Sequence, residues 1–276
     1  MLETAFQKFL LLAGLAVLAL ALRSFSNPVL RKAGILVVLA ASYLGAYFLF
    51  RQHLAGVAAV LAWFFLPWVE LLTRIRRLRL PMETRLEHKA PPSPHRFPTL
   101  EAFTEEIEAE GFEYVDDTGW QWDSLEQFFR IFYRAKDRLL AMVCLNEQNE
   151  MGFVHLTIWC RDRNGRTWKT SDYPFSDALQ SAPGLELNRL EPVEDFADLR
   201  QAHEGFLQVH QVGVENRIDE DLDQVYRLLE AEVRGQIHHN LTRGIIRESG
   251  EGTFRYSWRG LFFLWAQVLK DMVKLF

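Results

Sequence analysis

Three long apolar runs near the N-terminus constrain the fold of this chain more than any other feature of its sequence. They cover residues 5–22, 34–50 and 54–72. A helix needs about 20 mostly apolar residues to cross a bilayer core, with about 17 as the lower limit. The sequence therefore predicts an anchor of three transmembrane helices in residues 1–72.

The first run also permits a different interpretation. Residues 9–22 have the length of the apolar core of a secretory signal peptide, and Ala19-Leu20-Ala21 fits a cleavage site. Glu3 weighs against a signal peptide, because the segment before the apolar core is usually positively charged. We expect a retained helix, with cleavage as the alternative.

Basic residues predict the orientation of the three helices. The first loop holds Arg23, Arg31 and Lys32, whereas the second loop holds Arg51 alone. Four more basic residues follow the third helix: Arg74, Arg76, Arg77 and Arg79. Because Lys and Arg concentrate on the cytoplasmic side, the N-terminus is expected outside and the chain after residue 72 in the cytoplasm. The short loops suit a bacterial inner membrane. The last four arginines are predicted to face lipid, where each gains about 1 kcal/mol beside an anionic leaflet, with an ordinary positive-inside stop-transfer signal as the alternative.

A proline-rich segment follows the predicted anchor. Five of the chain's ten prolines lie between residues 81 and 98. Proline-rich chains favour extended polyproline geometry and act as semi-rigid spacers. Residues 73–98 are therefore predicted to form a basic juxtamembrane linker that holds a soluble domain away from the membrane.

The charge of the remaining chain narrows its expected partners. Residues 90–269 contain 18 Lys and Arg residues against 31 Asp and Glu residues, a net charge of −13. Phosphate binding needs a basic surface, so nucleic acid is not an expected partner. The two cysteines, Cys144 and Cys160, exclude a disulfide-based scaffold and favour free, buried thiols in a reducing compartment.

Residues 99–250 are predicted to fold as an α+β domain. Thr99 is a good cap for a helix that ends at Gly111. Apolar and aromatic segments between residues 112 and 173 then predict an antiparallel meander of four or five strands.

One turn in this meander has a specific signature. Asn164-Gly165 tolerates positive φ at both central positions, which is what a type I′ β-hairpin requires. The sequence therefore predicts that residues 153–161 and 167–173 pair across a two-residue turn.

Two amphipathic helices are predicted to follow the strands as a helical hairpin. The first begins at Pro192, and the second covers about residues 218–241. A cluster of acids is expected in the first turns of the second helix, where negative charge favours the helix dipole. These acids are Asp219, Glu220, Asp221 and Asp223.

No motif in the sequence identifies a reaction. The candidates for a ligand-binding groove are aromatic, with an aromatic core layer as the alternative: Trp120, Trp122, Phe128 and Tyr133. His203 and His210 lie two helical turns apart on an apolar stripe, which favours packing over metal binding. The sequence predicts neither a cofactor site nor a metal site.

Residues 254–276 are predicted to form an amphipathic helix in the membrane interface. Apolar residues recur there at helical spacing, and Arg255 and Arg259 lie at its start. Trp258, Phe262 and Trp265 are predicted to face lipid, since aromatic residues suit the interface. Packing of this helix on the soluble domain or on another subunit is the alternative.

The hairpin from Thr157 through Asn164-Gly165 to Thr170-Ser171, followed by a loop and two helices, resembles soluble domains of uncharacterised bacterial inner-membrane proteins. The resemblance covers roughly residues 99–240 and implies an anchored α+β domain with no known activity. The first expectation is a domain that binds a protein partner or another copy of this chain, or that senses a ligand, within a membrane assembly. The second is a membrane-tethered enzyme that acts on a lipid or a small metabolite.

Overall fold

The computed structural model describes residues 2–25, 27–148, 151–193 and 195–275. The α-helices in these ranges are Leu2–Arg23 (α1), Pro28–Phe50 (α2), His53–Thr73 (α3), Leu100–Ala109 (α4), Phe196–Val209 (α5), Val225–Thr242 (α6) and Trp258–Leu275 (α7). The strands are Leu80–Pro81 (β1), Glu87–His88 (β2), Glu113–Trp122 (β3), Leu125–Arg134 (β4), Leu139–Gln148 (β5), Met151–Arg161 (β6), Thr167–Ser171 (β7), Leu185–Arg189 (β8), Ile246–Gly250 (β9) and Thr253–Tyr256 (β10).

The chain divides into two compact units. The helical unit consists of Met1–Leu78 together with Trp258–Phe276, and the α+β unit is Arg79–Ser257. The α+β unit is thus inserted in sequence between α3 and α7. Its first and last strands are neighbours, because Leu80 of β1 pairs with Phe254 of β10. Both connections to the helical unit therefore leave the α+β unit side by side.

Helices α1, α2 and α3 match the three predicted apolar runs. Each is long and apolar enough to cross a membrane. The link between α2 and α3 is two residues long, with Arg51 in the left-handed conformation and Gln52 as the cap of α3. The indole of Trp63 in α3 donates to Ser42 Oγ of α2 at 3.0 Å, which fixes the contact between the two helices.

Helix α7 packs along α3 in the opposite direction. The Arg76 guanidinium lies over the Trp258 ring at 4.6 Å, and Phe262 meets Trp68 edge-on with ring centroids 4.9 Å apart. Further along, the Trp265 indole donates to the Phe64 carbonyl at 2.7 Å. This partner of α7 differs from the soluble domain or second subunit that the sequence suggested. Trp258 and Phe262 remain 52% and 56% exposed, so their contact with lipid stays a prediction.

A seven-stranded sheet forms the centre of the α+β unit, in the order β2-β3-β4-β5-β6-β7-β8. Strands β3 to β7 are the predicted antiparallel meander. The prediction is only partly matched, because β2 adds an edge strand and β8 pairs with β7 in parallel. The sheet is therefore mixed.

Helices cover both faces of this sheet. Residues of α4 and α5, including Ile107 and Leu199, share one core with Phe132 and Ile158 of the sheet. Val225 of α6 belongs to a second core on the opposite face. The predicted helical hairpin is therefore wrong: α5 and α6 are separated by the sheet. The physical reason is that strands with two apolar faces need a cover on each side.

The boundaries of these two helices also differ from the prediction. Helix α5 begins at Phe196, because Asp195 accepts a hydrogen bond from the Asp198 amide and caps it. Helix α6 begins at Val225, after the acid cluster rather than within it. The acids have other partners there. The Glu220 carboxylate, for example, accepts two hydrogen bonds from the Arg161 guanidinium, at 2.6 and 2.7 Å.

The proline-rich segment is not a spacer outside the fold. Residues 79–98 belong to the α+β unit, where β1 pairs with β10 and β2 pairs with β3. Phe97 is 3% exposed in the main core. At the other end, the unit extends past the predicted boundary at residue 250 to include β10. Both boundaries differ from the prediction because strands that are far apart in sequence pair with each other.

The turn at Asn164-Gly165 joins β6 to β7 as predicted, but its type differs. Gly165 has φ of +80°, whereas Asn164 is not among the described residues with positive φ. The Gly165 amide donates to the Asp162 carbonyl at 2.9 Å, and the Asp162 amide donates to the Arg166 carbonyl at 2.9 Å. These bonds define a three-residue loop in which a single left-handed glycine ends the turn. The Asp162 carboxylate stabilises it by accepting from the amides of Asn164 and Arg166.

Gly165→Val tests this turn. A β-branched residue at positive φ costs about 1–3 kcal/mol, so we expect a lower unfolding temperature of the full chain in mild detergent. Asn164→Ala is the matched control, because Asn164 does not need positive φ and its substitution should change the midpoint much less. Equal losses in both variants would instead indicate the two-residue type I′ turn.

Candidate functional site

A groove of about 400 Å³ lies between residues 81–89 and the end of β3. Strand β2 forms one wall, because Glu87 and His88 pair with Gly119 and Thr118 of β3. Most groove side chains on this wall are charged or can become charged: Glu83, Arg85, Glu87, His88 and Lys89.

Gly119 permits the close approach of this wall to the sheet. A Cβ atom at Gly119 would lie 2.2 Å from the Gln127 carbonyl oxygen and 2.9 Å from Lys89 Cδ. A larger residue would therefore push β3 away from β4 or the wall away from the groove.

Two of the four predicted groove aromatics lie here. Trp120 and Trp122 both line the groove. The Trp122 indole donates to the Arg79 carbonyl at 2.9 Å, and the Trp120 indole donates to the Gln127 side chain. Both indole N–H groups are thus satisfied by the protein, and the rings are held in place at the groove wall.

The other two predicted aromatics lie elsewhere. Phe128 is 3% exposed in the core on the opposite face of the sheet. Tyr133 lies toward the other end of its strand, where its hydroxyl donates to Asp219. The structure does not bring the four aromatics together, because neighbours along a strand point to opposite faces and distant ones are separated along it.

A histidine of the groove is oriented by a carboxylate. His88 Nδ1 lies 3.0 Å from Asp116 Oδ1, and the Tyr226 hydroxyl donates to Asp116 Oδ2. Burial opposes ionisation of Asp116, but hydrogen bonds from Tyr226, the Asp117 amide and His88 outweigh it, so its pKa is lowered. His88 is largely exposed, so its second ring nitrogen is accessible from the groove side.

Arg85 is the basic groove residue that makes no ion pair among the described residues. Lys89, in contrast, binds Glu126 at 2.7 Å. Glu126 also accepts from Arg96, which lies beside a second, smaller groove. The charge of Arg85 is therefore available to a bound group in a way that the charge of Lys89 is not.

The basic cluster after α3 is divided between the two units. Arg74 forms an exposed pair with Glu70 at 3.3 Å, and Arg76 stacks on Trp258. Arg77 ends a short 3₁₀ turn, and Arg79 is the first residue of the α+β unit. The contact of these arginines with lipid stays a prediction.

The histidines and cysteines that the sequence assigned to packing have structural surroundings. His203 is fully buried with Nδ1 2.9 Å from Thr170 Oγ1, and burial lowers its pKa to about 3. His210 lies between the rings of Trp168 and Phe206. Cys160 is a buried free thiol whose pKa is raised by burial to about 12. Cys144 is likewise free and buried.

A polar row crosses the α6 face of the sheet beside the groove. The Gln127 amide donates to Asn146, and Asn146 Nδ2 lies 3.2 Å from His155 Nδ1. The His155 ring packs against Tyr173 with centroids 5.0 Å apart. Burial, reinforced by the charges of Lys169 and Arg189, lowers the pKa of His155 to about 4.

This histidine predicts a pH dependence of stability. An unfolded histidine titrates near 6.5, so between about pH 6.5 and 4 the unfolded chain binds a proton that native His155 does not. Stability therefore falls as the pH falls through this window, by about 3 kcal/mol for a shift of this size. Buried His203 contributes to the same window, because its pKa is also lowered. We therefore expect His155→Gln to reduce the pH dependence of the unfolding midpoint by its own share, and the exposed His238→Gln to leave it unchanged. The same slope in both variants would contradict this origin.

Comparison with protein-family models, with curated proteins and with solved structures finds no match to this chain.

The wall formed by residues 81–89 was not predicted from the sequence. Their proline-rich surroundings favoured a linker, although Glu87, His88 and Lys89 were a compact run of ionisable residues within it. The pairing of this run with β3 depends on residues 30 positions away and has no local signature.

Proposed function

We propose that this chain is a protein of a bacterial inner membrane whose α+β unit lies in the cytoplasm and binds a protein partner or senses a ligand. It would serve as a structural or regulatory part of a membrane assembly. Three helices that are apolar enough to span a membrane support the anchor, and the loop charges support the orientation with the N-terminus outside.

One observation carries the sensing role. The segment that follows the first connection, residues 81–89, is itself a wall of the groove. The strand after that connection pairs with the strand before the second one. A molecule in the groove would thus contact Pro81, which belongs to the strand that follows the first connection. From this groove wall the chain leads through the first connection to α3, which contacts α7.

The topology gives a direct prediction. A reporter fused after Arg79 should be active as a cytoplasmic fusion, and one fused at Gln52 as an external fusion, because an odd number of crossings separates the N-terminus from Arg79. The reverse pattern would contradict three crossings with this orientation. So would release of a peptide cleaved after Ala21.

The groove is tested by affinity purification of the full chain in mild detergent, followed by identification of what co-purifies. Gln121 lines the groove, so Gln121→Trp should fill it, and Arg85→Glu should reverse its available charge. The matched controls are Gln201→Trp on α5 and Arg234→Glu on α6, both exposed and outside the groove. A partner or ligand that both groove variants lose and both controls retain would support the proposal. Loss in the controls as well, or in no variant, would oppose it.

The second candidate is the membrane-tethered enzyme, and the His88–Asp116–Tyr226 arrangement favours it. A carboxylate that holds one ring nitrogen leaves the other to exchange protons with a bound molecule. Hydrolysis of lipid or small-metabolite esters by the purified chain, lost in His88→Gln and kept in His95→Gln, would support this candidate. Equal activity in both variants would exclude His88 from such a role.

A further inference from the structure

We propose that the helical unit holds a segment of one acyl chain of an anionic phospholipid in a cavity walled by α1, α2, α3 and α7. The cavity has a volume of about 150 Å³. The inference rests on the membrane location proposed above and is independent of the groove in the α+β unit.

The lining of the cavity is apolar on three of its four sides. Helix α2 contributes Val38 and Leu39, α3 contributes Trp63, and α7 contributes Leu269 and Met272. The polar atom of Trp63 is already used, since its indole donates to Ser42 Oγ. A cavity of this size and lining holds no stable water, whereas apolar guests of about benzene size enter such spaces readily. In a bilayer the available apolar guest is a segment of an acyl chain.

The fourth side carries a positive charge. Arg23, the last residue of α1, lines the cavity. Its aliphatic stem crosses α2 at Gly34, where a Cβ atom would lie 2.9 Å from Arg23 Cγ and 3.2 Å from the Ala19 carbonyl. The close approach of α1 and α2 at Gly34 thus holds this arginine at the cavity.

Charge selects the head group. A guanidinium has five donors in a planar fork that matches phosphate oxygens, so Arg23 can bind a phosphate beside its other contacts. Lys270 is a further cation near the lining residues in sequence, and Asp271 is the acid next to Met272. The excess of cations favours an anionic head group over a zwitterionic one.

The placement also explains the contribution of α7. Met272 and Leu269 close the cavity from a helix that the sequence alone assigned to the membrane interface. The acyl chain would therefore contact both α3 and α7. This makes the lipid an element of the packing of α7 and distinguishes it from lipid that merely surrounds the anchor.

The experiment measures phospholipid that remains bound to the full chain. The protein is purified from nanodiscs of equal parts phosphatidylglycerol and phosphatidylcholine, then examined by native mass spectrometry. We expect one phosphatidylglycerol to be retained in preference to phosphatidylcholine. Arg23→Gln should reduce its retention about tenfold, the effect of losing one charge-assisted contact. Val38→Trp should abolish retention by filling the cavity.

Two matched controls make the same kinds of substitution on α2. Lys32→Gln removes a cation on α2, and Leu36→Trp adds a ring at a position that is 68% exposed and does not line the cavity. Both should retain the lipid. Equal loss in the controls, or no selective retention in the unaltered chain, would overturn the proposal in favour of ordinary surrounding lipid. If Val38→Trp does not fold, the comparison of Arg23→Gln with Lys32→Gln decides the matter. Extraction of the chain from membranes by carbonate would show separately that the membrane location is wrong.

Discussion

Asp117→Ala should strongly destabilise the α+β unit. Asp117 and Arg130 are 3% and 8% exposed, and they form two hydrogen bonds of 2.9 Å across β3 and β4. Removal of the carboxylate leaves a buried guanidinium without its main partner, which typically costs about 3–5 kcal/mol. We expect the unfolding temperature of the full chain in mild detergent to fall by about 10 °C.

The control for this prediction is a second acid near the same arginine. Glu101 lies 3.5 Å from Arg130, but its side chain is 76% exposed. An exposed pair contributes at most about 1 kcal/mol, so Glu101→Ala should change the midpoint only slightly. Replacement of both buried partners, Asp117→Leu with Arg130→Met, should recover part of the lost stability. If Asp117→Ala is as mild as Glu101→Ala, the buried pair is not a stabilising element of the sheet.

Phe262→Asp combined with Trp265→Asp should release α7 from α3. The substitutions remove the edge-on contact with Trp68 and the hydrogen bond to the Phe64 carbonyl. An aromatic pair contributes about 0.5–1.5 kcal/mol and a hydrogen bond about 1 kcal/mol, with the burial of the rings in addition. Together these losses predict cleavage by trypsin at Arg259 and Lys270 that is about a hundredfold faster in the nanodisc-embedded chain.

A substitution on α3 distinguishes packing from simple attachment to the membrane surface. Trp68→Ala removes the partner of Phe262 without any change in α7. If α7 packs on α3, this variant should also accelerate the cleavage, although less than the double substitution. If α7 lies on lipid alone, Trp68→Ala should have no effect, and the lipid contact predicted for Trp258, Phe262 and Trp265 would account for its attachment.

Local patterns in the sequence were enough to predict the elements that depend on local physics. The three apolar helices follow from run length, because a helix forms its backbone hydrogen bonds within its own segment. Strands β3 to β7 follow from short apolar and aromatic segments, and the position of the turn at Gly165 follows from a residue that tolerates positive φ. The type of that turn did not, because the Asp162 carbonyl and carboxylate stabilise a loop one residue longer than the dipeptide suggested.

The candidate site was predicted only in part. Trp120 and Trp122 both line the groove, and His203 is buried within the fold, as its place on an apolar stripe indicated. The other wall, residues 81–89, and the pairing of His88 with Asp116 join segments that are far apart in sequence. The periodicity of apolar residues gives no information about such pairs. It shows which face of a helix or strand is buried, but not which other segment packs against that face.

By itself, the sequence determined which segments are apolar, which alternate and where the backbone must turn. Tertiary structure alone decided what each apolar face packs against. It placed α5 and α6 on opposite faces of the sheet, drew residues 79–98 into the fold, and gave α7 the helix α3 as a partner. The reason is that burial is non-directional: an apolar face specifies that it must be covered, and the choice among covers depends on the shape and connections of the whole chain.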